Sequence, residues 1–101
     1  MFRLASFDLA GRRILVVEDD DIASALMVRE IAQSGGVVMG PVADVEAALA
    51  LIGTGAGIDC AMLDVRLLAE TALPVIRIFQ DIGVELVFVT SFDDWFASDD
   101  V

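Results

Sequence analysis

The sequence contains no lysine, no histidine and no tyrosine, so its 6 basic residues are all arginine. Against them stand 17 acids, for a formal net charge of −11. So few cations cannot assemble a basic patch, which argues against nucleic-acid binding and against docking on an anionic membrane surface. Without histidine, and with one cysteine, a zinc site is nearly excluded. A lone cysteine cannot close an internal disulfide; Cys60 lies in an apolar run and reads as a small core residue. No run of 18 or more apolar residues is present, so no membrane span is expected. The opening MFRLASFDLAGRR has no long apolar stretch with a small-residue cleavage site, so no signal peptide is read there and the expected location is the cytoplasm. Repeats and low-complexity segments are absent.

What is there is apolar: 57% of 101 residues, enough for one domain with one core. That content fits a parallel α/β sheet, whose strands are buried on both faces. Residues 1–12 read as a lead-in and 13–101 as the domain. Ile14–Val17 is a short β-branched run that reads as a buried strand and stops at Glu18, Asp19, Asp20 and Asp21. Asp20 or Asp21 is placed to cap a helix over Ile22–Gln33, with Ala25, Val28 and Ile31 or Ala32 on its inner face; Gly35 and Gly36 end it. Val37–Met39 forms a second strand, stopping near Gly40–Pro41. Asp44 caps a helix carrying Val45, Ala48, Leu49 and Ile52 on one face. Ile58–Leu63 is a third strand ending at Asp64. A third helix lies between Ala69 and Asp81, with Pro74 in its first turn or at a kink. Glu85–Thr90 is a fourth strand. Regular alternation of strand and helix predicts βαβ units with right-handed crossovers, hence a three-layer, doubly wound parallel sheet.

In open α/β sheets, sites form at the carboxyl ends of the strands. Glu18–Asp19, Asp64 and Thr90–Ser91 all fall at such ends. Taken singly, each has a plain explanation: an acidic run after a strand caps a helix, a lone aspartate makes a turn, a threonine ends a strand. Taken together, they converge if strands one, three and four are neighbours. Crowded carboxylates repel, and a bound cation relieves them. Oxygen-only ligands suit Mg²⁺, which takes one or two carboxylates, keeps waters and recruits phosphate oxygens. A remaining carboxylate is then free to attack a phosphoryl group, with a nearby hydroxyl such as that of Thr90 donating to a phosphoryl oxygen.

These segments resemble the receiver domains of response regulators. ILVVEDDD resembles their first strand and acidic pair, IDCAMLDVRL their third strand, and LVFVTS their fourth; GPVADVEAALALI is similar to the segment following their second strand. FVTSFDD is nearest the subgroup with the signature Phe-Ala-Thr-Gly-Tyr, although Ser91 stands for its glycine and Phe92 for its tyrosine. The resemblance runs from Arg12 to about Asp94 and implies a flavodoxin-like receiver fold. It implies that Asp64 accepts a phosphoryl group from the phosphohistidine of a histidine kinase or phosphotransfer protein. It implies that Glu18, Asp19, Asp64 and the main-chain carbonyl of Arg66 hold Mg²⁺, that Thr90 and Phe92 form the switch, and that Asp20 and Ser91 are accessory.

Relative to that family the chain is short: the fifth strand, with its phosphate-pairing lysine, and the last helix are missing. A fragment, a shortened receiver covered by a dimer partner, and a degenerate receiver serving as a phosphate-independent interaction or dimerisation module are the three explanations. An uncovered sheet edge favours a homodimer or other assembly. Arg66 is the one cation in the motifs able to replace the lysine, since guanidinium binds phosphate well, but its side chain need not point inward. Two other classes are weaker. Asp19 and Asp21 have the Asp-x-Asp spacing of aspartate phosphatases without the surrounding pattern or the lysine. Gly53, Gly55 and Gly57 follow a helix, where a phosphate loop would precede one. Trp95 and Phe96 read as core aromatics, or as part of a docking surface.

Overall fold

The computed structural model describes residues 9–68 and 72–89. Four strands, β1 (Arg13–Val17), β2 (Val37–Val42), β3 (Cys60–Asp64) and β4 (Glu85–Val89), alternate with three helices, α1 (Asp21–Gln33), α2 (Val45–Ile52) and α3 (Ala72–Ile82). The strands form one sheet in the order β2-β1-β3-β4, parallel at every pairing. This is the order of the first four strands of a flavodoxin-like fold.

The layers follow from period-two alternation along buried strands. Ile14, Val16, Cys60, Met62 and Val89 face one side and pack with Met27 and Ile31 of α1. Leu15, Val17, Ala61 and Leu63 face the other and pack with Ala48 of α2 and with Val75 and Phe79 of α3. One helix on one face and two on the opposite face make three layers. Leu9 joins the first cluster, and Arg12 accepts from the Val37 N–H at 2.7 Å, so the segment just before β1 is packed with the sheet.

Asp20 caps α1, its carboxylate accepting from the Ala23 N–H at 2.8 Å, and Asp44 caps α2 through Ala47 at 2.8 Å. These caps fix where each helix starts. The inner face of α1 differs from expectation. Ala23, Ser24, Met27 and Ile31 are buried, Val28 is half-buried, and Ala25 and Ala32 are exposed. Positions 23, 27 and 31 lie four residues apart on one face, Met27 and Ile31 packing into the core, with the small Ser24 beside them. Pro74 is the third residue of α3, in the first turn, where its missing N–H is not needed by the helix. Between α1 and β2, Gly36 lies against the core: a Cβ there would be 2.7 Å from Ile31 Cγ2.

Cys60 is buried on the α1 side of β3. Burial, with the Glu85 carboxylate adding to it, pushes the thiol from its ordinary 9.0 up to about 11. The folded state thus favours the neutral thiol. That contribution is full below pH 9 and is lost as pH rises through 11, by roughly 2–3 kcal/mol. At pH 8 the native protein should leave Cys60 unreacted with a thiol reagent and the denatured protein should react completely; rapid labelling of native protein would contradict this burial.

Candidate functional site

The order β2-β1-β3-β4 reverses direction between β1 and β3, and the crevice at such a switch point is where open α/β sheets bind ligands. Register brings the two central acids there. Val17 pairs with Leu63, so Glu18 follows Val17 at the level of Asp64, while Asp64 pairs with Val89. Glu18 is held in place by its own N–H, which donates to the Val42 carbonyl of β2 at 2.9 Å.

Both acids are buried, Glu18 at 4% exposure and Asp64 at 0%. Carboxylates are rarely so enclosed without strong partners. Glu18 Oε2 accepts from the main-chain N–H groups of Asp19 and Asp20, at 2.8 and 3.2 Å. Asp64 caps the 3-10 turn at Val65–Leu67, its Oδ1 accepting from the Arg66 N–H at 2.9 Å. That turn carries the Arg66 side chain back over the carboxylate it starts from. The guanidinium grips Asp64 Oδ2 with Nε at 3.0 Å and Nη2 at 2.7 Å, and Nη2 lies 3.7 Å from Glu18 Oε2. Arg66 bridges the two acids while its own side chain stays 53% exposed.

The electrostatics follow. Burial and the neighbouring Asp64 carboxylate raise Glu18 well above the usual carboxylate range, against the main-chain donor at Asp20. Burial acts on Asp64 in the same direction, but the Arg66 hydrogen bonds and charge outweigh it and hold Asp64 below its ordinary value. Of two facing acids, the one gripped by the guanidinium carries the negative charge.

The expected residues divide accordingly. Glu18 and Asp64 come together. Asp19 is exposed, and its carboxylate bears on Glu18 from the rim. Asp20 is engaged as the α1 cap. Arg66 presents its guanidinium to the pair and its N–H to Asp64. Thr90, Ser91, Phe92, Trp95 and Phe96 lie outside the described residues. Among the described residues no set of three or more Cys, His, Asp or Glu is arranged to hold a metal ion. Two enclosed carboxylates that draw a cation onto themselves nevertheless suit Mg²⁺, which needs only one or two such ligands and fills its shell with water. The sequence offers Arg66 as the cation able to replace the lysine and leaves the direction of its side chain open; a capping aspartate draws the N–H of residue i+2 toward its carboxylate, and the structure adds the guanidinium.

No protein-family model matches the sequence, and no curated protein or solved structure matches it. Among the described residues no helix is long and apolar enough to cross a membrane.

Proposed function

We propose that this chain is a phosphoacceptor switch of the receiver type in two-component signalling, with Asp64 as the acceptor. The observation that carries the reading is a fully buried aspartate gripped by a guanidinium at the topological switch point, facing a second buried acid across the ends of β1 and β3. In the transfer, an Asp64 Oδ atom attacks the phosphorus of a phosphohistidine. The P–N bond breaks, the imidazole nitrogen keeps the bonding pair, and an aspartyl phosphate forms. Asp64 is suited to this because its carboxylate is held below its ordinary pKa, ready as an anion once the exposed Arg66 side chain turns aside. Glu18, Asp19 and Asp64 would hold Mg²⁺, which when bound neutralises charge on the transferring group. The test is intact mass after incubation with Mg²⁺ and a small phosphodonor: one phosphate, located at Asp64, is expected, and a folded protein that gains none contradicts the reading.

Self-association goes with this proposal. Among the described residues β4 has no second neighbour. Phe88 on it is 42% exposed, and a concavity of about 470 Å³ lies alongside, lined in part by Ile76, Phe79, Leu86 and Phe88. An edge unpaired among the described residues, beside apolar surface, favours pairing with a second copy. Sedimentation should give a dimer or larger assembly, and a clean monomer would remove this expectation.

A further inference from the structure

We propose that Arg66 is the built-in cation of this site, and that a divalent ion binds only by displacing its guanidinium from Asp64 and Glu18. The inference rests on the phosphoacceptor reading, in which these acids take Mg²⁺, and it concerns what this chain places in the way.

Three observations carry it. The oxygen a metal would need is already used: Asp64 Oδ2 receives both Nε and Nη2 of Arg66, at 3.0 and 2.7 Å, and Oδ1 receives the Arg66 N–H at 2.9 Å. The same Nη2 stands 3.7 Å from Glu18 Oε2, so the guanidinium occupies the space between the two acids. With Arg66 in place Asp64 has no exposed surface, which leaves an incoming ion no approach to it.

The arrangement can open. The Arg66 side chain is 53% exposed, and its hydrogen bonds run to Asp64. Swinging it outward returns a guanidinium to water and disturbs no core packing. The acids cannot move with it, because Glu18 is tied to main-chain donors and Asp64 lies at the end of a central strand. Arg66 and a metal ion therefore compete for a fixed pair. Apparent affinity for the ion falls by the fraction of time the pair is uncovered.

The experiment titrates MgCl₂ into the full chain and into Arg66→Asn, by calorimetry and by thermal melting. If the guanidinium is off the pair for a tenth of the time or less, Arg66→Asn binds Mg²⁺ roughly tenfold or more tightly than wild type. Its Tm also rises more steeply with Mg²⁺. Equal affinities would overturn the competition while leaving the phosphoacceptor reading intact. Absence of binding in both proteins would also overturn it, and phosphate uptake at Asp64 would then decide the underlying reading separately. Should Arg66→Asn fail to fold, the wild-type protein suffices. The Arg66 Nε–H signal in a ¹H–¹⁵N spectrum, protected by Asp64 without metal, should lose that protection as Mg²⁺ saturates the protein. Protection retained at saturation would refute displacement.

Discussion

Asp64→Asn protein, incubated with Mg²⁺ and acetyl phosphate, gains no phosphate under conditions in which the wild-type chain gains one. The loss is expected to be complete, because the change removes the nucleophile; it also removes the Oδ2 acceptor of the Arg66 guanidinium, whose exposed side chain can turn to water instead. An amide oxygen carries no full charge and attacks phosphorus poorly. Asparagine has the same shape, and its oxygen still accepts from the Arg66 N–H, so the 3-10 turn at Val65–Leu67 should persist. Burial of an amide in place of a carboxylate also removes a like charge from beside Glu18. The variant should therefore fold with an unchanged circular dichroism spectrum, which makes absence of phosphate interpretable. Equal uptake by both proteins would move the acceptor elsewhere, and uptake by neither would favour a docking module that keeps the fold without the chemistry.

Phe79→Ala should lower stability by about 3–5 kcal/mol, measured by urea or thermal unfolding. On a domain of this size that corresponds to a fall in Tm on the order of 15–30 °C. Phe79 is 1% exposed and is the largest fully buried side chain of the described residues. It packs α3 against the face of the sheet carrying Leu15, Ala61 and Leu63, and its carbonyl accepts from the Val84 N–H at 3.0 Å just before β4. Alanine would leave a cavity that the main chain on either side cannot close, since β3 and β4 are held in register from Cys60–Glu85 to Asp64–Val89. A loss below about 1 kcal/mol would mean that α3 repacks freely, and the role assigned to Phe79 would be wrong.

Much of this architecture was legible in the sequence because it depends on local chemistry. Ile14–Val17 and Cys60–Leu63 are too uniformly apolar for anything but strands buried on both faces. Asp44 stands where a cap must be, and Gly35 and Gly36 stop α1. The inner face of α1 was less legible. Adjacent residues of a helix lie about 100° apart, and the alanines at 23, 25 and 32 give hydropathy little means of choosing between faces. Ala23 is buried while Ala25 and Ala32 are exposed, a choice made by what β1 and β3 present.

By itself, then, the sequence determined the alternation of strands and helices, the caps, and the set of polar residues ending each strand. It did so because propensity, burial pattern and capping act over a few neighbouring residues. Only the tertiary structure decided that Glu18 and Asp64, 46 positions apart in the chain, share one enclosed site, since strand order and register are long-range choices. Only it decided that Arg66 turns its guanidinium onto them. That direction depends on the local turn, and equally on the presence across the crevice of a second buried acid, whose charge no reading of neighbouring residues supplies.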